Sequence, residues 1–475
     1  EPHLGNIRTA LFDWLLARHE GGQFILRIED TDQARYVEES VQAQIEALRW
    51  LGLDWDEGPD IGGPFAPYVQ SQRLEIYREH AQRLIDNDRA YSCYCSTERL
   101  DRVRKEQQAR KQPPRYDRYC RELAAGKRPE PEREQVAPVV RFKTPLDGET
   151  VIGDALRGKV AFQNDTLDDF VIVKSDGFPT YHLASVVDDH IMEITHVLRG
   201  EEWLSSAPRH ALLYEAFGWE PPVFAHLSRI LGPDKAKLSK RHGAHSVLHY
   251  REQGYLPDAV INFLGLLGWS LDDKTEIISR DEFVSHFDLS RALTNPAVFN
   301  AEKLDWMNGV YIRAMDPNEF AEAARPFLER EVGQAVDMER LMPIMPLLQE
   351  RVKLLSEIGD MAGFFFAEGP LDYTVESLLG KKFADQPDAA AVALAKVAER
   401  VEDVADWEHE AIEAAIRPLA EELGMKAGPL FGLIRVATTG RSAAPPLFET
   451  MAVLGRETVT ARLNDALTRL RPSDS

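Results

Sequence analysis

Apolar positions at helical spacing alternate with short apolar runs in the first half of the chain. Leu4 to His19 has apolar residues three and four apart, which predicts a helix that ends at Gly21-Gly22. The run Gln23–Ile28 predicts a strand, and helices are predicted at Val37–Leu51 and Ser71–Asp88. A helix, a strand and a polar cluster at the strand's end are typical of a doubly wound α/β fold, whose ligands gather at strand ends.

Residues 89–180 follow a different pattern, which predicts a small α+β insertion between two halves of the first domain. A charged helix is predicted from Thr97 to Lys111, and Pro113-Pro114 stops it. Short strands are predicted to follow at Val139–Lys143, Lys159–Gln163 and Phe170–Lys174. The α/β pattern then returns, with a strand at Ile194–Leu198, a helix at Leu204–Phe217 and a strand at Val223–Leu227.

From Ser246 onward the spacing is almost entirely helical. The predicted helices include Pro257–Leu267, Asn318–Glu331, Met338–Ile358, Ala389–Val404, His409–Leu423, Pro429–Ala437, Pro446–Leu454 and Glu457–Leu470. Their apolar stripes predict the core of a helical bundle and not a cofactor site, as at Leu341, Ile344, Leu347, Leu348, Val352 and Leu355. These patterns divide the chain into 1–88, 89–180, 181–245, 246–310 and 311–475, with a further boundary near 370.

Length and composition narrow the classes of protein. A chain of 475 residues is long enough for several domains, and 44% hydrophobic with 28% charged residues is typical of a soluble globular protein. No apolar run approaches the ~20 residues of a membrane span, and no signal peptide is present, so we expect a cytoplasmic protein with no membrane partner. The net charge of −22 argues against general affinity for nucleic acids, so such a partner would have to meet local basic patches.

A basic loop lies half-way along the chain, between Gly232 and Gly243. Its segment Lys237-Leu-Ser-Lys240-Arg241 brings several cations together near two glycines. Because lysine is a compact charge on a flexible stem, this composition predicts a mobile loop that meets a polyanion. A solvated surface loop is the alternative interpretation.

Two further positions suggest anion binding. His3 and Gly5 lie at the predicted start of the first helix, where free N–H groups and the helix dipole favour negative charge; the alternative is a plain helix start with an incidental histidine. Arg199 follows a predicted strand, where it can bind a carboxylate through two parallel hydrogen bonds. An ion pair with Glu201 or Glu202 is equally compatible with the pattern.

All three cysteines of the chain lie in the predicted insertion. Cys93-x-Cys95 and Cys120 have a spacing typical of zinc ligands. Zinc takes four ligands, and Glu122 is the candidate for the fourth. Three reduced thiols in a small core are the alternative.

Several motifs then line up along the chain. His3-Leu-Gly-Asn6 resembles the HIGH motif of the class I aminoacyl-tRNA synthetases, and Lys237-Leu-Ser-Lys-Arg241 resembles their KMSKS loop. Five further segments resemble the glutamate branch of this class of synthetases: Arg27-Ile-Glu-Asp-Thr-Asp32, Tyr181 to His190, Arg199-Gly-Glu-Glu-Trp203, Trp306-Met-Asn-Gly309 and Arg435-Val-Ala-Thr-Thr-Gly440. The likeness covers the whole chain and is to the bacterial glutamyl-tRNA synthetases.

The resemblance implies an enzyme that joins L-glutamate to tRNA-Glu. ATP and glutamate form glutamyl-adenylate and pyrophosphate, and the glutamyl group then passes to the terminal adenosine of the tRNA; tRNA-Gln stays open as a second substrate. Mg²⁺ is expected to share the phosphate charge. The implied architecture is a Rossmann-type catalytic domain with an insertion at 89–180 that holds the acceptor end, a stem-contact domain at 246–310 and all-α anticodon-binding helices at 311–475. The family is usually monomeric.

The resemblance also assigns roles to individual residues of this chain. The catalytic assignments are His3, Lys237 and Lys240. The glutamate-binding assignments are Glu29, Tyr181, Ser185 and Arg199. The ATP-binding assignments are His3, Gly5, Glu202, Ile230, Lys237 and Lys240, and Arg351 is assigned to the anticodon.

The sequence departs from the family pattern in three places. A strand and an Arg-x-Ala-Pro-Ser-Pro-Thr-Gly segment, whose arginine and serine contact glutamate, precede the histidine motif in the family. We therefore expect the natural chain to start before Glu1, and a chain limited to these residues is predicted to be inactive. Asn6 replaces the last histidine of the HIGH pattern, and Glu122 stands where zinc-binding relatives often have histidine.

Four other classes of protein share part of this pattern. Glutaminyl-tRNA synthetases have a C-terminal part made of β-barrels, which the helical pattern after residue 311 disfavours. Glutamyl-queuosine-type tRNA-modifying enzymes lack an anticodon domain, and an ATP-dependent nucleotidylyltransferase needs no helical C-terminal third. A non-catalytic tRNA-binding paralogue is disfavoured because His3, Glu29, Arg199, Lys237 and Lys240 are all present.

Overall fold

The computed structural model describes residues 2–121, 137–238, 246–367 and 369–470. The chain forms two compact units, one of Glu1–Leu248 with Val260–Asn300 and the other of His249–Ala259 with Ala301–Ser475. The first unit contains helices and sheets, whereas the named elements from residue 301 onward are all helical. This confirms the predicted α/β part followed by a helical part.

Nine strands are named in the described part of the chain: β1 (Ala90–Cys93), β2 (Val139–Phe142), β3 (Glu149–Asp154), β4 (Gly158–Gln163), β5 (Val171–Val173), β6 (His196–Gly200), β7 (Val223–Leu227), β8 (Ile230–Leu231) and β9 (Ala297–Val298). They form a sheet ordered β1-β2-β5, a mixed sheet ordered β4-β3-β7-β6 and the pair β8-β9. In the mixed sheet β6 and β7 are parallel, and β3 and β4 form an antiparallel hairpin. The hairpin joins the parallel strands through β3 and β7.

The α-helices before residue 300 are α1 (Leu4–His19), α2 (Glu38–Leu51), α3 (Leu74–Asp86), α4 (Thr97–Ala109), α5 (Tyr181–Ile191), α6 (Ala207–Phe217), α7 (Val247–Glu252), α8 (Pro257–Leu266) and α9 (Arg280–His286). Helices α3, α5 and α6 pack with the sheets around one apolar core, which includes Phe142, Ile152, Ile172, Leu183, Val187, Leu213 and Phe224. The mixed sheet is therefore held against helices that carry part of the candidate site.

The later α-helices are α10 (Ala301–Ala314), α11 (Pro317–Val332), α12 (Met338–Leu341), α13 (Met345–Gln349), α14 (Glu357–Ala362), α15 (Val375–Phe383), α16 (Pro387–Glu402), α17 (His409–Ile416), α18 (Leu419–Glu422), α19 (Ala427–Thr439), α20 (Leu447–Leu454) and α21 (Arg456–Leu470). The predicted apolar stripe lies in their core: Leu341, Ile344, Leu348, Val352 and Leu355 are buried and Leu347 packs against them. No helix in the described ranges has the length and apolarity that crossing a membrane requires.

Three predicted elements are wrong. The segment predicted as a strand at 23–28 pairs only through isolated bridges, of Ile25 with Glu57 and of Ile28 with Val69. Its partner changes between these two points, so no continuous ladder forms there. The single helix predicted over Met338–Ile358 is divided into α12, a 3₁₀ turn, α13 and α14. Pro343 and Pro346 lack the N–H groups that an uninterrupted helix requires, and residues 350–356 separate α13 from α14. The helix predicted over His409–Leu423 is divided into α17 and α18 around Pro418, for the same reason.

Candidate active site

The start of helix α1 lies close to the residue that begins the basic motif. His3 is the N-cap of α1, and its Nδ1 atom accepts a hydrogen bond from the backbone N–H of Gly5 at 3.2 Å. Partial burial lowers the pKa of His3, and the positive charge of Lys237 lowers it further. A neutral ring that accepts at Nδ1 carries its hydrogen at Nε2, where it can donate to a phosphate oxygen.

The segment before the basic motif folds back on itself. Strand β8 contains the buried Ile230, and the backbone of Leu231 bridges that of Lys237. The N–H of Gly232 also donates to the carbonyl of Ala236 at 2.9 Å. This turn leaves Lys237 exposed, while Lys240 lies outside the described residues.

Glu202 lies in the turn after β6. It is exposed, and its carboxylate packs so closely against Gly200 that a Cβ atom there would lie 2.4 Å from Oε2. Burial lowers the pKa of Arg8, which lies on α1, to about 10, although the negative charge of Glu202 acts to raise it. Glu202 therefore stands at the edge of α1, near the helix start.

Four residues from three segments line one cleft of about 890 Å³: Glu29, Tyr181, Ser185 and Arg199. Tyr181 and Ser185 are placed by α5, and Arg199 is placed by β6. All four were assigned to glutamate from the sequence resemblance, and the fold brings all four to the same cleft.

Arg199 is buried, and two of its three guanidinium nitrogens have partners. Its Nε atom donates to Nε2 of His226 at 3.0 Å, and Nη1 donates to the hydroxyl of Tyr181 at 3.1 Å. The buried Nη2 atom has no hydrogen-bond partner among the described residues. A buried guanidinium N–H group without a partner is costly, so this atom is a donor suited to a carboxylate ligand.

The alternative ion pair for Arg199 is not formed within the described part of the chain. Glu201 instead pairs with Arg157 at 2.6 Å and with Arg229. The side chain of Arg199 is thereby left to face the cleft.

Glu29 is held at the cleft by a half-buried cation. Arg27 pairs through Nη2 with Glu29 at 2.8 Å and with Asp189 at 2.9 Å. Burial raises the pKa of Asp189, and the nearby Arg27 opposes that effect. Ser185 donates to the same Asp189 carboxylate at 3.4 Å. The cleft thus has an acidic side at Glu29 and a basic side at Arg199, which matches the two charged ends of an amino acid with an acidic side chain.

Sequence reasoning missed the histidines behind this cleft. His226 is completely buried on β7 and contacts Arg199. His182 and His210 face each other with their ring nitrogens 3.1 Å apart, and burial lowers the pKa of His182 to about 4. His182 lies within the motif Tyr181 to His190 but was given no role there, whereas His210 and His226 belong to no quoted motif. Only the strand register brings His226 to Arg199.

The three cysteines form a separate buried cluster. The Sγ atoms of Cys93, Cys95 and Cys120 all lie within 4.8 Å of one another, and those of Cys95 and Cys120 are 3.7 Å apart. The hydrogen bond with Cys120 is the main cause that lowers the pKa of Cys93 and raises that of Cys95.

A tyrosine that the sequence analysis did not select completes this cluster. The hydroxyl of Tyr116 lies 3.3 Å from Sγ of Cys93 and 3.5 Å from Sγ of Cys95. The guanidinium of Arg141 lies 3.9 Å from the centre of the Tyr116 ring. Glu122, the predicted fourth ligand, lies outside the described residues. Oxygen and sulfur donors at these distances fit a zinc ion.

Arg351 lies in the helical unit, just after α13. Its side chain is exposed, and Nη1 donates to the carbonyl of Leu347 at 3.2 Å. The rest of the guanidinium is accessible from solvent, as contact with a tRNA base requires.

Family models and related proteins match this arrangement. The catalytic-domain model of the class I tRNA synthetases for E and Q matches residues 1–306, and an anticodon-binding-domain model matches residues 319–467. The second match covers most of the helical part, which is where the competing classes were expected to differ.

Full-length relatives are similar along the whole chain. A glutamate--tRNA ligase of Dehalococcoides mccartyi is 53% identical over 99% of this chain and 96% of its own length. That of Moorella thermoacetica is 46% identical over 99% of this chain and 96% of its own length. The crystal structure of a glutamate tRNA ligase from Elizabethkingia meningosepticum, in complex with its amino acid, is similar with a TM-score of 0.86 at 39% identity, covering 99% of this chain and 98% of that one. The chain therefore belongs to the class I tRNA synthetases for glutamate and glutamine, and within them to the glutamate--tRNA ligases.

Proposed function

We propose that this protein activates L-glutamate with ATP and transfers the glutamyl group to the terminal adenosine of tRNA-Glu. The observation that carries the proposal is the buried Nη2 atom of Arg199, which has no hydrogen-bond partner in the described part of the chain and belongs to a cleft that Glu29 also lines. Arg199 and Tyr181 bind the side-chain carboxylate of glutamate, and Glu29 binds its ammonium group. Ser185 supports that end of the cleft through Asp189.

Activation joins the α-carboxylate of glutamate to the α-phosphorus of ATP and breaks the bond to pyrophosphate. The nucleotide is bound as its magnesium complex, and Mg²⁺ shares the phosphate charge. His3 and Gly5 at the start of α1 hold the phosphates, and Glu202 and the backbone near Ile230 lie against the nucleoside. Lys237 and Lys240 stabilise the negative charge that develops on the departing pyrophosphate. The terminal ribose hydroxyl of the tRNA then attacks the acyl carbon, and AMP leaves.

Regions outside the cleft are assigned to the tRNA. Residues 89–180 hold the acceptor end, residues 246–310 contact the stem and the helices from 311 bind the anticodon, with Arg351 against its third base. The match of the anticodon-binding model to residues 319–467 supports the last assignment. The protein is proposed to be a monomer in the cytoplasm, as the resemblance to the family implies.

The direct test is aminoacylation of total tRNA by the full-length protein. Labelled glutamate is expected to be attached to tRNA-Glu, while labelled glutamine is not. Purified tRNA-Gln is assayed in parallel and shows whether that tRNA is also charged with glutamate. A protein that binds tRNA but charges neither would be a non-catalytic paralogue, and the proposal would be wrong.

Removal of the Lys240 side chain is expected to slow adenylate formation by about 100-fold, because a donor to a developing charge is worth about 10²–10³ in rate. The dissociation constant of glutamate is expected to stay unchanged. The assay is ATP–pyrophosphate exchange with tRNA present, and Lys235→Ala, which removes an equal charge from the same segment, is the control. Weaker glutamate binding with an unchanged rate at saturation would contradict the role of Lys240 in the transition state.

The thiol cluster is proposed to hold one zinc ion, with Cys93, Cys95, Cys120 and Tyr116 as ligands. In a zinc tetrahedron two sulfur ligands lie about 3.8 Å apart, and an oxygen and a sulfur ligand about 3.5 Å apart. The separation of 3.7 Å between two of the sulfur atoms, and those of 3.3 and 3.5 Å to the Tyr116 hydroxyl, agree with both values. The ion would hold Tyr116 and Cys120 against the end of β1 and takes no part in the chemistry.

Metal analysis of the protein as purified is expected to give about one zinc per chain. Cys95→Ser is expected to lose most of the metal. Tyr116→Phe is expected to release zinc to a chelator at least tenfold faster than the wild type, because one of four ligands is gone. Tyr119→Phe is the matched control on the same segment. A zinc content near zero would refute the metal site. Equal rates of zinc release from the two tyrosine variants would refute Tyr116 as the fourth ligand.

A further inference from the structure

The register of the mixed sheet places a histidine directly behind the proposed carboxylate-binding arginine. Strands β6 and β7 are parallel, and Arg199 is paired in register with His226. The side chain of His226 is completely buried and that of Arg199 nearly so. The Nε–H of Arg199 donates to Nε2 of His226 at 3.0 Å, so this ring nitrogen acts as an acceptor and carries no hydrogen.

A buried aspartate determines this tautomer. Oδ2 of Asp154 lies 2.6 Å from Nδ1 of His226 and accepts a second hydrogen bond from the backbone N–H of the same residue at 3.1 Å. Its other oxygen accepts from the backbone N–H groups of Leu156 and Arg157, each at 2.9 Å. Burial alone would raise the pKa of Asp154, but its hydrogen bonds, that from His226 foremost, lower it. The carboxylate therefore holds the hydrogen of His226 on Nδ1 and leaves Nε2 to accept.

The chain of contacts continues into the cleft. Asp154 orients His226, His226 fixes Nε of Arg199, and Tyr181 fixes Nη1 of the same guanidinium at 3.1 Å. With two nitrogens fixed, the planar group has one orientation, in which the buried Nη2 has no partner among the described residues. A guanidinium binds a carboxylate well only when its plane and direction match, so this orientation matters for affinity.

We infer that His226, held in one tautomer by Asp154, is a positioning residue that aims Arg199 at the side-chain carboxylate of glutamate and thereby favours glutamate over glutamine. The inference rests on the proposed function and deepens it. Asp154 comes from β3, within residues 89–180, so a hairpin outside the two catalytic segments takes part in amino-acid selection. Nothing in the spacing of the known motifs points to either residue.

Three substitutions of His226 separate a positioning role from simple loss of packing. In His226→Gln the amide oxygen can replace Nε2 as the acceptor for Arg199. In His226→Asn the amide reaches only the Asp154 side, and in His226→Leu both hydrogen bonds are lost while the volume is kept. Asp154→Asn preserves the shape of the carboxylate but can donate to Nδ1, which would move the hydrogen of His226 to Nε2 and oppose the N–H of Arg199.

The measurements are KM for glutamate, KM for ATP, kcat, the ratio of glutamate to glutamine activation and the melting temperature. We expect His226→Asn, His226→Leu and Asp154→Asn to raise KM for glutamate at least tenfold, with kcat within threefold and KM for ATP unchanged. The activation ratio should fall in the same variants. His226→Gln should recover most of the loss.

Three outcomes would overturn the inference. KM for glutamate within twofold of the wild type in the Asn and Leu variants would show that Arg199 needs no support. A Gln variant no better than Asn would remove the acceptor argument, and a parallel change in KM for ATP would indicate general damage. If the wild-type protein itself charges no tRNA with glutamate, the proposed function fails and the inference fails with it.

Discussion

Replacement of Arg199 by alanine is expected to lower kcat/KM for glutamate by about 1,000-fold, mainly through KM. The change removes the donor to the substrate carboxylate and leaves a buried negative charge without its partner, a loss of about 4 kcal/mol. Arg199→Lys keeps the charge but not the planar fork and is expected to recover only a small part. Initial rates of ATP–pyrophosphate exchange over a range of glutamate concentrations measure the effect.

The controls for Arg199 separate binding from folding. Arg209→Ala removes an arginine on α6 that does not line the cleft, and its KM for glutamate is expected to stay within threefold of the wild type. KM for ATP should be unchanged in all three variants. An unchanged KM for glutamate in Arg199→Ala would remove this residue from the substrate site and would leave the cleft without its basic side.

Replacement of Asp188 by alanine is expected to destabilise the first unit by about 4 kcal/mol, within the range of about 3–5 kcal/mol for breaking a buried charged network. Asp188 lies on α5 with its side chain completely buried and accepts hydrogen bonds from Arg73 at 2.8 Å, Gln70 at 3.0 Å and Tyr77 at 2.7 Å. Without the carboxylate, the equally buried guanidinium of Arg73 loses its ion pair. Because the free energy of unfolding of a native protein is about 5–15 kcal/mol, this loss is a large fraction of it.

Urea denaturation monitored by tryptophan fluorescence measures the effect of Asp188→Ala. Asp101→Ala is the matched control, because Asp101 forms an exposed ion pair with Arg104 at 3.1 Å on α4, and exposed pairs contribute about 0–1 kcal/mol. A change of less than 1 kcal/mol in Asp188→Ala would show that water or a neighbouring group replaces the carboxylate. The network would then be unimportant for the position of α5.

Several elements were predictable because their signals are local. The helix at the start of the chain, the strands β2, β4 and β5 and most helices after residue 300 follow from spacing and from proline and glycine positions, to within a few residues. The exceptions have local causes as well. The prolines at 343 and 346 interrupt a helix that the apolar stripe alone predicts. The residues of that stripe are nevertheless in the core, as the pattern predicts.

The missed elements depend on partners far away in the chain. Strand β3 was not predicted, although its side chains alternate between exposed and buried, because the run Glu149–Asp154 is short and contains a glycine. The segment 23–28 was predicted as a strand, but its neighbours support only isolated bridges. Pairing with other segments is what makes a short apolar run into a strand, and a single sequence does not contain the pairing.

The residues of the candidate site also divide into those that the sequence predicted and those that only the folded structure revealed. Motif order along the chain was enough to select Glu29, Tyr181, Ser185 and Arg199, which belong to segments that share one cleft. Tyr116, Asp154 and His226 belong to no motif. Folding brings Tyr116 within hydrogen-bond distance of Cys93 and brings His226 within that distance of Arg199, and Asp154 is reached only through His226.

The family, the α/β part followed by a helical part and the groups that can bind charge could be predicted from residue order, since these depend on residue types and local spacing. Three features required the folded chain: the nitrogen of Arg199 that has no partner among the described residues, the histidine tautomer behind it and the oxygen beside the three thiols. Hydrogen-bond direction and burial are set by atoms from distant segments, to within tenths of an ångström. Residue order in one chain carries no such distances.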